Sequence, residues 1–209
     1  MAKYLGAKCK LCRREGEKLM LKGERCYTGK CAIVKRPYPP GLHGPKGRAR
    51  QSGYNLQLRE KQKAKRLYNL LEKQFKLSFK RASKQKGDAG ENLMKLLETR
   101  LDNVIYRLGL AASRAEARTL VNHDHFQING KKVSIPSYNV KTGEIIKIKK
   151  SSQTSKRFAN LSDRLKKMEI PGWLYWDAKE FSAKVLELPR QENFEAKINP
   201  QLIVEFYSR

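Results

Sequence analysis

The sequence predicts an α+β protein, mostly helical. A metal-bearing N-terminal arm and a helical lobe come first, and a small helix–helix–hairpin module follows. Three observations point there. All four cysteines fall within residues 9–31, "CKLCRREGEKLMLKGERCYTGKC". Apolar residues then recur with a helical period over much of 55–108. Asn129-Gly130, between short alternating runs, marks a tight hairpin. The expected domains are 1–90 (arm and helices, with 175–209 packing back), 91–168 (the module and a following helix) and 169–209 (a C-terminal tail).

The arm is read from its thiols. Cys9, Cys12, Cys26 and Cys31 are spaced C-x2-C, thirteen residues, then C-x4-C. Two close pairs across a loop supply the four ligands of a tetrahedral metal. Neighbouring lysines and arginines favour the thiolate form. A stretch with few large apolar residues lacks core energy, and metal binding supplies folding free energy directly. Zinc is the expected ion, with a four-cysteine iron–sulfur cluster as the alternative. Two disulfides or four unrelated thiols are the blander readings. The N-terminus "MAKYLGAKCK" has no apolar signal region, so the expected setting is a reducing cytoplasm. His43, His123 and His125 lie too far along the chain to be obvious ligands, so the site reads as structural.

Residues 37–53, "PYPPGLHGPKGRARQSG", hold four prolines and four glycines. That punctuation predicts an extended basic segment that orders only against a partner. Over 55–86, Leu56, Leu67, Leu70, Leu71, Phe75 and Phe79 form a partial helical stripe. Leu93, Leu96, Leu97, Leu101, Val104, Ile105 and Leu108 predict the strongest helix, with Gly109 as its stop. Ser113 and Glu116 form a capping box for a short helix whose inner face is Ala117, Leu120 and Val121. "GEIIKIKK" predicts a strand, residues 154–168 a helix with Phe158, Leu161, Leu165 and Met168 on one side, and "LIVEFYS" a buried strand.

Charge narrows the partner. Lys and Arg total 46 against 20 Asp and Glu, a net +26. Self-repulsion of that size calls for a polyanion. Nucleic acid is the first expectation and an anionic membrane surface the rival; no apolar run is long enough to span a bilayer. Residues 1–87 carry 25 basic against 5 acidic residues, a net +20; residues 169–209 carry 5 against 7. The polyanion is therefore expected mainly against the N-terminal half. In "ASRAEARTLV", Arg114 and Arg118 share a helix face; Arg100 and Arg107 do so on the preceding helix, and the hairpin adds Lys131 and Lys132. Arginine's planar fork suits phosphate. The candidate RNA contacts are Arg13, Arg14, Arg36, Lys46, Arg48, Arg50, Arg59, Lys63, Arg66, Arg100, Arg107, Arg114, Arg118, Lys131 and Lys132. A merely solvated face is the alternative.

These residues also carry a resemblance. "TRLDNVIYRLGLAASRAEARTLVNHDHFQINGKKVSIPSY" resembles the RNA-binding module named after the fourth protein of the small ribosomal subunit, a module also found in some tRNA synthetases and pseudouridine synthases. "CKLCRREG", "KRPYPPGLHGPKGRARQSGYNLQLREKQKAKRLY" and "LIVEFYSR" resemble the bacterial ribosomal family itself, so the likeness covers nearly the whole chain. It implies a structural role without enzymatic activity. It implies direct binding of small-subunit ribosomal RNA (rRNA) early in assembly and a place beside the third and fifth small-subunit proteins. It also implies contact with mRNA near the entry channel, an influence on decoding accuracy, and no membrane. Many members of the family keep four cysteines at this spacing for a metal. Many also have glycine where this chain has Asp124, a position that suggests a left-handed turn.

An RNA-modifying enzyme would need a catalytic domain, and no nucleophile–base pair, phosphate loop or open metal site is evident. A zinc-dependent DNA-binding regulator would need a recognition helix, but residues 13–25 are short and interrupted by glycine.

Overall fold

The computed structural model describes residues 4–46, 52–155, 158, 161, 165 and 169–209. The chain divides into two units, Met1–Leu93 with Glu195–Arg209, and Met94–Phe194.

In the first unit, α1 (Lys8–Glu15), a 3-10 turn (Gly23–Cys26) and α2 (Ala32–Lys35) carry the arm. A second 3-10 turn, Gly44–Lys46, forms inside the Pro/Gly-rich segment that the sequence left extended. Local packing decides this. Arg13 donates from Nε to the Tyr38 carbonyl at 3.0 Å and from Nη2 to that of Pro39 at 3.3 Å. Gly44 is required there, because a Cβ would lie 1.9 Å from the Pro39 oxygen.

The helix expected over 55–86 is two helices, α3 (Gly53–Leu67) and α4 (Glu72–Ala82). Ser52 caps α3 by accepting from the Asn55 amide. Between the helices Asn69 takes φ +55°, a left-handed turn that asparagine tolerates. Leu67, Tyr68, Leu70 and Phe75 are buried around that corner.

"LIVEFYS" is not a strand but most of a helix, Pro200–Tyr207, packed on α3. Asn199 caps it and Pro200 occupies its first turn, where a missing N–H costs nothing. Gln57 donates to Glu205 at 2.9 Å, and the Lys61 ammonium sits 4.6 Å from the Phe206 ring centre.

Glu72 ties three helices. It accepts from Lys61 and Lys65 at 2.8 Å each and from the Tyr207 hydroxyl at 3.0 Å. Burial alone would raise its pKa, but the two lysine hydrogen bonds outweigh that and hold it at about 2. The carboxylate is 45% exposed, so solvent screens the pairs. Glu72→Gln is expected to cost this unit about 1–2 kcal/mol, below the 3–5 of a fully buried pair. Because the folded pKa lies below the unfolded value of 4.5, the stabilisation is complete above pH 4.5 and is lost as pH falls towards 2. Urea melts at stepped pH should show parent and variant converging in acid. A gap that stays constant down to pH 2 would refute the assignment.

In the second unit the strongest predicted helix is also divided. α5 (Ala89–Glu98), which begins in the first unit, ends at Glu98, and α6 (Leu101–Arg107) follows. The 136–140 segment enforces the break. Leu101 donates to the Tyr138 carbonyl at 2.8 Å, Val140 to that of Thr99 at 2.9 Å, and the Asn139 side chain to that of Leu96 at 2.8 Å. Gly109, at φ +76°, follows the end of α6. α7 (Arg114–Asn122) is capped by Ser113, and Glu116 reaches back to the Ala112 amide at 2.8 Å.

Five antiparallel strands follow: β1 (Phe126–Ile128), β2 (Lys131–Lys132), β3 (Ile145–Ile148), β4 (Leu174–Asp177) and β5 (Ser182–Val185), in the order β2-β1-β3-β5-β4. A one-turn helix, α8 (Lys150–Gln153), follows β3. Residues 169–209 are therefore not a separate tail. Residues 174–185 form a hairpin that extends the module's sheet, with Ile146 opposite Ala183, while Glu195–Arg209 group with the first unit. The hairpin buries Leu174, Ala183 and Val185 in the module's core.

That core joins Leu101, Val104, Ile105 and Leu108 of α6 to Ala117, Leu120 and Val121 of α7 and to Phe126, Ile146, Ile148 and Trp173. Phe158 and Leu161 are buried in it and Leu165 packs against it; Met168 lies outside the described residues. Each large side chain fully buried contributes about 1.5–3 kcal/mol.

Candidate nucleic-acid interface and metal centre

α1 presents Cys9 and Cys12 one turn apart, Cys26 closes the 3-10 turn, and Cys31 precedes α2. All four are free thiols; Cys9 is half-buried and the others are buried. They line one small pocket with Leu21, Ala32 and Ile33 among its walls. Among the described residues, no group of three or more His, Cys, Asp or Glu side chains is arranged to hold a metal ion. The donor chemistry nonetheless fits one. Four sulfurs share a single pocket, and the Lys22 amide donates to Cys26 Sγ at 3.3 Å. The Leu19 backbone likewise hydrogen-bonds Cys12. Burial pushes the Cys12 thiol up, and the three other cysteines add to the rise. At Cys12, desolvation thus outweighs the basic surroundings that were expected to favour thiolate.

The expected arginine surface is largely turned inward. Arg59 and Arg66 both pair with Glu15 of α1, whose side chain is 2% exposed, and Lys63 pairs with Glu17 and Glu60. These cations fasten α3 to the arm. In the module, Arg100 grips Asp102 through two bonds of 3.1 and 2.8 Å. Arg107 does the same to the fully buried Glu98, at 3.1 and 2.7 Å. Arg114 donates to Asn103 at 2.7 Å and lies over the Tyr106 ring, and Arg118 is 3% exposed. Arg100, Arg114 and Arg118 are buried and Arg107 is half-buried, so the four do not form the contiguous exposed surface expected of them. Arg100 is held by Asp102, Arg107 by the buried Glu98 and Arg114 by the Asn103 side chain.

Arg14, Arg36, Lys46 and Lys131 are exposed. Lys132 is exposed and pairs with Asp124 at 2.7 Å, and Arg13 is half-buried while bracing Tyr38. Arg48 and Arg50 lie outside the described residues. Asp124 takes φ +61°, the left-handed turn suggested for its position, and its charge is directed at Lys132.

Sequence reasoning missed one set of cations. α4 buries Phe75 and Ala82 and exposes Lys73, Lys76, Lys80 and Arg81; Lys84 and Lys86 follow, also exposed. The i, i+3, i+7, i+11 spacing from Lys73 to Lys84 was the available signal.

A helical unit and an α+β unit with a net charge of +26 between them, exposed cations on an arm, a helix and a hairpin, and a module of paired helices on a small sheet define a nucleic-acid-binding class of protein. Residues 3–98 match the ribosomal protein S4/S9 N-terminal domain and residues 99–146 match the S4 domain. The chain is 55% identical to small ribosomal subunit protein uS4 of Caldicellulosiruptor saccharolyticus over 209 residues, all of both chains. It is 54% identical to uS4 of Acetivibrio thermocellus and to uS4A of Clostridium perfringens, again over the full length of both chains. The chain belongs to the uS4 family of small ribosomal subunit proteins.

Proposed function

We propose that the chain is a structural constituent of the small ribosomal subunit, not an enzyme, and that it binds small-subunit rRNA directly in the cytoplasmic ribosome. The observation that carries this is the full-length identity of 55% to a uS4 protein, in a chain with 26 more positive than negative charges. No helix among the described residues is long and apolar enough to cross a membrane. The exposed Arg14, Arg36, Lys46, Lys131 and Lys132 are the phosphate ligands in this reading. Early binding that nucleates subunit assembly, a position beside proteins three and five, contact with mRNA at the entry channel and a contribution to decoding accuracy belong to the same proposal. In it Cys9, Cys12, Cys26 and Cys31 hold one structural metal, zinc before an iron–sulfur cluster. Such a metal would fix the turns of the arm that present Arg14 and Arg36.

Sedimentation of ribosomal subunits in high salt tests the central claim. The chain should stay with the small subunit. Release into the soluble fraction would reject a structural role and favour an enzyme or a regulator.

A further inference from the structure

We propose that α4 is a clamp for the phosphate backbone of duplex RNA, separate from the contacts named above. The inference rests on the RNA-binding reading and adds a site to it. Lys73, Lys76, Lys80 and Lys84 recur at helical spacing, with Arg81 and Lys86 beside them, and all six are exposed. None has an ion-pair partner among the described residues. The nearby acids are engaged elsewhere. Glu72 is turned to Lys61, Lys65 and Tyr207, and Asp88 accepts from the Glu91 amide at 2.6 Å to begin α5. The opposite side of the helix is fixed by Phe75, and Phe79 stacks on Tyr207 at 4.6 Å, so the cationic side is held outward.

The chemistry of the row selects its partner. Five lysines and one arginine offer point charges and few paired donors, which suits phosphate position over base identity. The face carries no aromatic residue, only Leu77, so it lacks the stacking platform that single-stranded bases require. Lys73, Lys76 and Lys80 run along about 10 Å of helix, with Lys84 just beyond its end, a row that matches a ridge of phosphates. An acidic protein segment is the competing partner.

The test uses the full chain with Lys73, Lys76, Lys80 and Lys84 changed to Gln. A control variant loses four charges at Lys141, Lys179, Lys184 and Arg190. Circular dichroism confirms that both fold. Binding is measured against salt for small-subunit rRNA, a mixed-sequence RNA duplex, the matching single strand and poly-glutamate. The α4 variant should bind rRNA and duplex more weakly, with a slope of log affinity against log salt shallower by about 3. The control should change far less.

An unchanged slope in the α4 variant overturns the clamp while leaving rRNA binding intact. So does an equal loss in the control, or a loss confined to the single strand or to poly-glutamate. If the parent chain fails to bind rRNA at all, the proposed function falls, and the clamp falls with it.

Discussion

Changing Arg114 and Arg118 together to glutamate should unfold the Met94–Phe194 unit. Arg114 is 7% exposed and its Nε donates to Asn103 Oδ1 at 2.7 Å. The Asn103 amide in turn donates to Glu98 Oε2 at 2.6 Å, and Glu98 is fully buried under Arg107. A carboxylate at 114 would face the Asn103 carbonyl oxygen with Glu98 just beyond it. At 118, a second carboxylate would replace a buried guanidinium that Asp102 stabilises. Breaking one buried ionic contact costs about 3–5 kcal/mol, and these two removals act on one network. A domain of this size has about 5–15 kcal/mol in all. Near-ultraviolet circular dichroism and amide NMR should show loss of fixed packing in this unit, and any loss of RNA binding would follow from that. A native spectrum with RNA affinity selectively weakened would show instead that the two arginines act at the surface.

Cys26→Ser should remove one ligand of the proposed metal site and loosen the arm while leaving the Met94–Phe194 unit folded. Structural zinc in zinc-finger peptides contributes about 10–16 kcal/mol to their folding, and losing one ligand removes a large part of such a contribution. The arm has little to replace it: among its described residues, Leu19 is the one fully buried large aliphatic side chain. Met20, held at φ +51°, adds a strained turn that the surrounding contacts must support. Elemental analysis of protein prepared without added metal should find one zinc per chain in the parent and little in the variant. Backbone NMR should shift signals from residues 8–35 and leave those of the module in place. Parent and variant spectra that coincide over the arm would dismiss a structural metal. A metal held by the four thiolates would displace their protons on binding, so in this reading uptake should weaken as pH falls.

The parts of this molecule that depend on neighbours in sequence were legible before the structure. The Ser113 cap, the Asn129-Gly130 turn, the Gly109 stop and the β3 strand each rest on residues within a few positions of one another. Most of what failed was decided at long range. Nothing local in the helical run from Leu93 to Leu108 announces the segment around Asn139 that divides it. The β-branched Ile203-Val204 in "LIVEFYS" suggests a strand, but the Asn199-Pro200 pair just before it is a helix-start signal, and the helix wins. The arginines misled for a related reason. Helical spacing shows which residues share a face, but not whether that face meets solvent or a buried acid such as Glu98 or Glu15. On α4 the same spacing argument would have succeeded, since Phe75 and Ala82 fix which side is inward.

The contact between Gln57 and Glu205 spans 148 positions. In a chain made one residue at a time, at about 5–20 residues per second, the helix Pro200–Tyr207 exists only some 7–30 s after α3 has been synthesised. Through that interval α3 has no cover for the side that the helix will occupy, and Tyr207 is not yet there for Glu72 to hold. The Met94–Phe194 unit, by contrast, is one uninterrupted stretch whose last strand, β5, is translated before the covering helix begins. Vectorial synthesis thus imposes a birth order: the inserted unit can mature first, and the outer one stays an open nascent intermediate until its final helix arrives.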